Sequence, residues 1–359
     1  MSILFEPIKI KNMEIKNRFV RSATYDACAD SRTGHVSEEQ IRLYEDIADG
    51  GVGLIITGFA YVHSSGKITP FQNSIVDDSC IAGLKKLTTA VHERGTQIAI
   101  QLHHAGREAM KMLEEKDRDA VAPSFVPNDP YFKMGHRAIT ENEIQTIIRA
   151  FGDAAQRSVE AGFDAIQLHG AHAYLLSQFL SPYTNRRDDK WGGSLDNRLR
   201  FHHEIYRNIR TKVGEDYPVL IKLGVEDGFS GGLKFEEGRK AAELIAQWGF
   251  DALEISQGLR GKRFKGTEYR TKINSVDSEA YFRDWCKEVK SQVNVPVMMV
   301  GGLKTFELME EVIQEGEADF ISMCRPMIKE PDIVNKWKDG QRHGTLDSLE
   351  QSNKTRHCQ

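Results

Sequence analysis

Short apolar, β-branched runs alternate with longer amphipathic stretches along most of the chain. The apolar runs predict strands near Phe19–Ser22, Gly53–Thr57, Gln97–Leu102, Ala165–Leu168, Val219–Leu223, Ala252–Ile255, Val297–Val300 and Phe320–Met323. Between them, apolar residues recur at helical spacing over Glu38–Ala48, Ile81–Glu93, Glu141–Ala161, Leu195–Lys212, Phe235–Trp248, Ser278–Ser291 and Phe306–Gln314. Near-continuous hydrophobic strands separated by helices are the pattern of parallel βα units, whose sheet is covered on both sides. Eight such strands close a barrel, so the predicted fold class is α/β, a (β/α)8 TIM barrel. A doubly wound open sheet is the alternative. It is weakened because no G-x-G-x-x-G turn follows the first strand.

The helical patterns stop at glycine and re-enter a strand at Ala161-Gly162-Phe163-Asp164 and again at Trp248-Gly249-Phe250-Asp251. The barrel is expected to occupy residues 1–340. A long Pro-containing loop follows the third strand, at about 105–140, where a lid or substrate-shaping segment would lie. Periodicity fails after Gly340, and residues 341–359 read as a polar C-terminal tail.

Composition adds exclusions. The chain has 359 residues, 40% of them hydrophobic, and a net charge of −4 with both signs interspersed. Nothing in that balance calls for nucleic acid or an anionic membrane. No apolar run is long enough to span a bilayer, and the N-terminus has no apolar core behind a basic start. The cysteines Cys28, Cys80, Cys286, Cys324 and Cys358 form no C-x-x-C pair, which argues against disulfides, structural zinc and iron–sulfur clusters. A reducing cytoplasm is the expected location. Oligomeric state stays open, homo-oligomers included.

The candidate chemistry lies at the C-terminal ends of the predicted strands, where barrels build active sites. The fourth strand ends in His169, followed closely by His172 and Tyr174. Two imidazoles and a phenol over one pocket can hold a carbonyl oxygen and deliver a proton beside it. Lys222 interrupts an apolar strand, which is costly unless an acceptor satisfies it. Gly301 and Gly302 end the seventh strand, and Cys324 and Arg325 end the eighth. Bare backbone N–H groups and a guanidinium at those two strand ends suit a phosphate.

The segment after His169 continues as Asn185, Arg187, Asp189, Trp191, Gly192, Gly193, Ser194, Asn197, Arg198 and Arg200, an N-x-R-x-D-x-W-G-G-S-x-x-N-R-x-R pattern. The third strand ends Gln101-Leu102-His103-His104-Ala105-Gly106-Arg107, similar to Q-L-x-H-A-G-R. Together these resemble the old yellow enzyme family of FMN-dependent oxidoreductases, over about residues 1–335. The resemblance implies non-covalent FMN, with NADH or NADPH as hydride donor. It implies that Gln101 bonds the polar edge of the flavin and that Lys222 lies near flavin N1 and O2. His104 and Arg107 would shape the flavin and substrate rim, leaving His103 as a structural extra. Ala23 and Thr24 would contact the flavin through backbone, with the Gly58-Phe59-Ala60 run after the second strand adding further backbone contacts. Tyr25 departs from the family, standing where relatives often have Thr or Cys. Cys324 stands where they often have Gly.

By the same resemblance the leading activity is ene reduction of a small-molecule alkene. His169 and His172 would hold the oxygen of an α,β-unsaturated carbonyl, and Tyr174 would protonate Cα. An FMN-dependent amine or alcohol dehydrogenase is the alternative on the same barrel, as is a flavin-binding barrel without turnover. A non-flavin aldolase-like barrel would need a Schiff-base lysine, for which Lys222 is the candidate. Larger relatives similar to dienoyl-CoA reductases and trimethylamine dehydrogenase carry a cysteine cluster after the barrel. Here only Cys358 lies in that region, so electrons are expected to reach FMN directly from the nicotinamide.

Overall fold

The computed structural model describes residues 2–109, 119–261 and 268–342. Most of the predicted tail, Cys358 included, and residues 110–118 of the long loop lie outside them.

Eight parallel strands close a barrel in chain order: β1 (Phe19–Arg21), β2 (Leu54–Tyr61), β3 (Gln97–His103), β4 (Ala165–Gly170), β5 (Val219–Gly224), β6 (Ala252–Ser256), β7 (Val297–Val300) and β8 (Phe320–Met323). The covering helices are α1 (Glu38–Asp49), α2 (Ile81–His92), α3 (Glu141–Glu160), α4 (Leu195–Val213), α5 (Phe235–Trp248), α6 (Arg283–Lys290), α7 (Phe306–Gln314) and α8 (Ile333–Lys338). The (β/α)8 reading is therefore borne out. A hairpin of Ile8–Ile10 and Met13–Ile15 precedes β1, and Ile10, Met13 and Ile15 pack against the barrel's inner apolar layer.

Period-two alternation sorts each strand between two environments. Outward residues such as Ile100, Ile166, Ile221 and Leu253 join the core beneath the helices. Inward residues Val20, Leu54, Ala99, Ala165, Leu220, Ala252, Met298 and Phe320 form an apolar layer inside the barrel. The next inward positions towards the C-terminal mouth are mostly polar, Ser22, Gln101, Gln167, Lys222, Glu254 and Ser322 beside the apolar Ile56 and Val300, and the polar ones floor the site described below. Local signals fix where the helices begin. Ser37 and Ser194 cap α1 and α4, and Thr140 with Glu143 forms a reciprocal capping box on α3.

Two boundaries differ from the pattern, each for a physical reason. β2 runs four residues past Thr57, to Tyr61, because its pairing with β3 skips between Ile56 and Phe59. That irregularity breaks the alternation and turns Phe59 towards the mouth. α6 begins at Arg283 rather than Ser278. Ala280 has φ +46°. The Glu279 carboxylate accepts from the Lys304 and Thr305 amides ahead of α7, which holds this stretch out of the helix.

The described part of the loop after β3 is fixed to the barrel. Arg107 and Asp129 form a buried ion pair at 2.7 Å, and the Tyr183 hydroxyl donates to the same carboxylate at 2.9 Å. Tyr131 stacks on Phe229 with ring centres 3.9 Å apart. No helix among the described residues is long and apolar enough to cross a membrane.

Candidate active site

A cavity of about 840 Å³ opens at the C-terminal mouth of the barrel. Of the residues expected there, Ala23, Thr24, Tyr25, His169, His172, Tyr174, Lys222, Gly301, Gly302, Cys324 and Arg325 all line it.

One wall is made where β4 ends. His169 is the last inward side chain of that strand. His172 and Ala173 then take left-handed backbone conformations, φ +59° and +66°. Such backbone is strained for residues with a Cβ and persists where neighbours hold it. Here the amides of His172 and Ala173 donate to the carbonyls of Gln257 and Gly258, both at 3.0 Å. The turn aims His172 back over His169, with ring centres 4.9 Å apart and planes at 83°. Tyr174 meets His169 edge to face at 4.8 Å and 80°. His172 Nε2 is 2.8 Å from the Ser256 hydroxyl, while His169 Nδ1 is buried without a partner.

Burial sets the charge state of this wall. It pushes His169 well below the usual imidazole range and takes His172 down to about 3. Both rings are therefore neutral at physiological pH, each with one N–H to donate. Burial also raises the Tyr174 phenol, against the opposing pull of the Arg260 guanidinium 5.6 Å from the ring centre. The phenol thus stays protonated at neutral pH. Arg260 is held by Glu268 at 2.7 Å and Glu108 at 3.3 Å.

The floor is a connected polar layer. Gln101 donates to Gln167 at 2.6 Å, Gln167 to Glu254 at 2.9 Å and Ser22 to Glu254 at 2.6 Å. Lys222 Nζ donates to Ser22 at 2.9 Å and lies 3.3 Å from the Glu254 carboxylate. Lys222 thus has the acceptors that its position inside an apolar strand demands.

At the far end, Gly301 and Gly302 have φ +137° and +77° over the ring of Tyr281. A Cβ at Gly302 would come within 3.0 Å of that ring, so glycine leaves the backbone bare beside the cavity. Arg325 Nη2 donates to the Arg270 carbonyl at 3.1 Å. Tyr25 stacks on Phe59 at 5.7 Å, and its hydroxyl accepts from Thr69 at 2.7 Å. The tyrosine that departs from the family is thus part of the wall, with its oxygen engaged by the loop after β2.

The structure places the other expected residues as follows. Of the Gly58-Phe59-Ala60 run, Phe59 lines the wall, while the Gly58 N–H donates to the Tyr44 hydroxyl at 2.8 Å. Gln101 lies in the floor network rather than in the lining, with its Oε1 buried and unpartnered. His104 turns away to the Ser65 hydroxyl at 3.0 Å, packed against Gly66. Arg107 is committed to Asp129 and stacks on Phe132 at 4.6 Å. His103, expected to be structural, is fully buried, packs edge to face on Tyr174 at 4.3 Å and does not line the cavity. Alternation explains the orientation of the two histidines. In β3, Ala99, Gln101 and His103 share the inward face, so His104 cannot.

Sequence reasoning missed Gln167, Glu254 and Arg260. The first two carried the signal that singled out Lys222, a polar residue at an inward position of an apolar strand. Arg260 lies in a loop and had no such signal.

FMN fits this arrangement. Gln101 Oε1, His169 Nδ1 and Ser322 Oγ are buried polar atoms with no protein partner, and His169 and Ser322 line the cavity. Lys222 stands at the floor, and the bare Gly301-Gly302 backbone stands beside Arg325 at the far end.

Comparison with known proteins agrees. An FMN oxidoreductase family model, described as the NADH:flavin oxidoreductase / NADH oxidase family, matches residues 3–343. An NADH oxidase of Thermoanaerobacter brockii is 38% identical over 345 residues, covering 95% of this chain and 51% of that protein. An NADPH dehydrogenase of Clostridium acetobutylicum is 33% identical over 336 residues, covering 92% of this chain and 93% of that protein. Among solved structures, a 2-naphthoyl-CoA reductase in complex with 2-naphthoyl-CoA superposes with a TM-score of 0.84 at 29% identity, covering 94% of this chain and 52% of that one. The chain spans about half the length of the NADH oxidase and of the reductase. The match over nearly the entire barrel bears out the resemblance first seen in the segment after His169: this chain belongs to the NADH:flavin oxidoreductase / NADH oxidase family, with FMN as its cofactor.

Proposed function

We propose that this barrel holds FMN non-covalently, draws reducing equivalents from NADH or NADPH and delivers them to an α,β-unsaturated carbonyl or a similarly activated alkene. When bound, FMN supplies two-electron chemistry, taking hydride from a nicotinamide and giving it to an electron-poor carbon. Lys222, Gly301, Gly302 and Arg325 would hold it, with Ala23 and Thr24 beside it. The protein's own task is to polarise the alkene and to complete the proton count. His169 and His172, both neutral, would donate N–H bonds to the substrate oxygen and withdraw electron density from Cβ. Tyr174 would give its proton to Cα as negative charge develops there, and Arg260 would ease that loss by stabilising the phenolate.

The observation that carries this reading is the perpendicular packing of His169 against both His172 and Tyr174 on one cavity wall. Oxygen-holding groups and a proton source share that wall. Replacement of Tyr174 with Phe tests it. Stopped-flow measurements should find flavin reduction by NADH or NADPH nearly intact, because that step uses no phenol. Oxidation by an enone should slow by roughly 10²–10⁴-fold. Equal slowing of both halves would indicate a displaced flavin. An unaffected enone step would remove Tyr174 from the mechanism. Failure of either nicotinamide to reduce the flavin would favour an amine or alcohol dehydrogenase.

A further inference from the structure

Lys222 does not face the cavity as a free charge. Behind it stands Glu254, whose side chain is fully buried and does not line the cavity. Its Oε1 accepts from Ser22 at 2.6 Å and lies 3.3 Å from Lys222 Nζ, while Oε2 accepts from Gln167 at 2.9 Å. Ser22 does line the cavity, and its single hydroxyl is used twice. It gives its proton to Glu254 and takes a donor from Lys222 at 2.9 Å, so the ammonium is pinned from two directions. The inner layer therefore carries one positive and one negative charge, with the positive end towards the cavity.

A lone cation beneath a flavin stabilises the extra negative charge that reduction brings, and so pulls its potential up. A carboxylate 3.3 Å behind that cation cancels part of the pull. We infer that Glu254 is a positioning residue that sets how much positive charge Lys222 lends to FMN, keeping the reduced cofactor a strong hydride donor. The inference rests on the reading that places the polar edge of FMN at Lys222.

Charge-removing variants of the FMN-loaded protein separate the two. Midpoint potentials would be read anaerobically against reference dyes, and FMN dissociation constants by fluorescence. Glu254→Gln should move the two-electron equilibrium at least tenfold towards reduction, about 30 mV upward. Lys222→Met should move it at least tenfold the other way. The Lys222→Met/Glu254→Gln double variant should return to within about threefold of the parent. Comparing it with Lys222→Met measures the Glu254 charge a second time, should the Glu254→Gln protein fail to fold. Glu254→Asp keeps the charge and should stay close to the parent. An unchanged or lowered potential in Glu254→Gln, with Lys222→Met behaving as expected, overturns the inference and leaves the FMN placement standing. A silent Lys222→Met overturns the placement, and the inference falls with it. A shift in Glu254→Asp as large as in Glu254→Gln also overturns it, because charge would then not be the cause.

Discussion

If Tyr174 gives the proton as proposed, Arg260→Gln offers the sharpest test of how its phenol is tuned. The guanidinium lies 5.6 Å from the centre of the Tyr174 ring. At an effective dielectric of about 20, a unit charge at that distance is worth about 3 kcal/mol to a phenolate, or about two pKa units. Glu268 and Glu108 hold the same guanidinium and offset part of its field. A net effect of about one unit remains. Losing it makes the phenol a weaker acid, and with a Brønsted slope near one half the proton step slows by about threefold. That is far less than removing the hydroxyl altogether. The assay is single-turnover oxidation of the reduced protein by an enone at neutral pH, beside flavin reduction by NADH or NADPH. The first should slow and the second should not. Arg260→Lys keeps the charge and should recover most of the rate. An enone step unaffected by Arg260→Gln, or a Lys variant as slow as the Gln variant, would refute an electrostatic role.

Three further outcomes follow from the described contacts. Replacing His169 and His172 together with Ala should weaken binding of a phenol ligand, read from its long-wavelength charge-transfer band, by at least tenfold per site while FMN stays bound, since a hydrogen bond to a charged oxygen is worth about 1.5–3 kcal/mol. Asp129→Asn removes the carboxylate nearest the buried Arg107 guanidinium and should cost about 3 kcal/mol in urea unfolding, because breaking a buried pair exposes the desolvation of the surviving ion. Glu143, bonded by Arg137 and the Thr140 cap, is held down to about 2. Its contribution is complete above the ordinary carboxylate value of about 4.5 and is lost as pH falls from there towards 2. The side chain is about one-third exposed, so solvent screening reduces the contribution to about 1 kcal/mol, and Glu143→Gln should flatten the acid limb of the thermal-stability profile by that amount.

The barrel was legible because its strands are apolar on both faces and its helices carry clear stop signals. Phe235–Trp248, Phe306–Gln314, Val297–Val300 and Phe320–Met323 have the predicted ends. What escaped depended on contacts between distant segments. The start of α6 is decided by Glu279 reaching across to the amides ahead of α7. The end of β2 is decided by its register with β3. At the site, the expected strand-end residues line one cavity because the fold fixes where those ends point. The orientation of His103 and His104 was not legible, because a motif gives order along the chain, whereas the pleat decides which side chain faces inward. Arg260 could not be read at all, since nothing local to a loop residue says which ring it will cover.

The kinked backbone at His172 and Ala173 has a consequence for how this pocket can be altered. Its shape is borrowed: two carbonyls at the root of the loop after β6 hold it in place. The histidine wall and that root form one mechanical unit, and an insertion between Ser256 and Leu259 would throw both out of line together. Past Leu259 the same loop still touches the wall through Arg260, which lies over Tyr174 and is held by Glu268. Changes at Lys272 and Asn274, which also line the mouth, can reshape what enters while those carbonyls and the Arg260–Glu268 pair stay in place. A differently shaped acceptor is most easily accommodated there, with the histidine wall left in place.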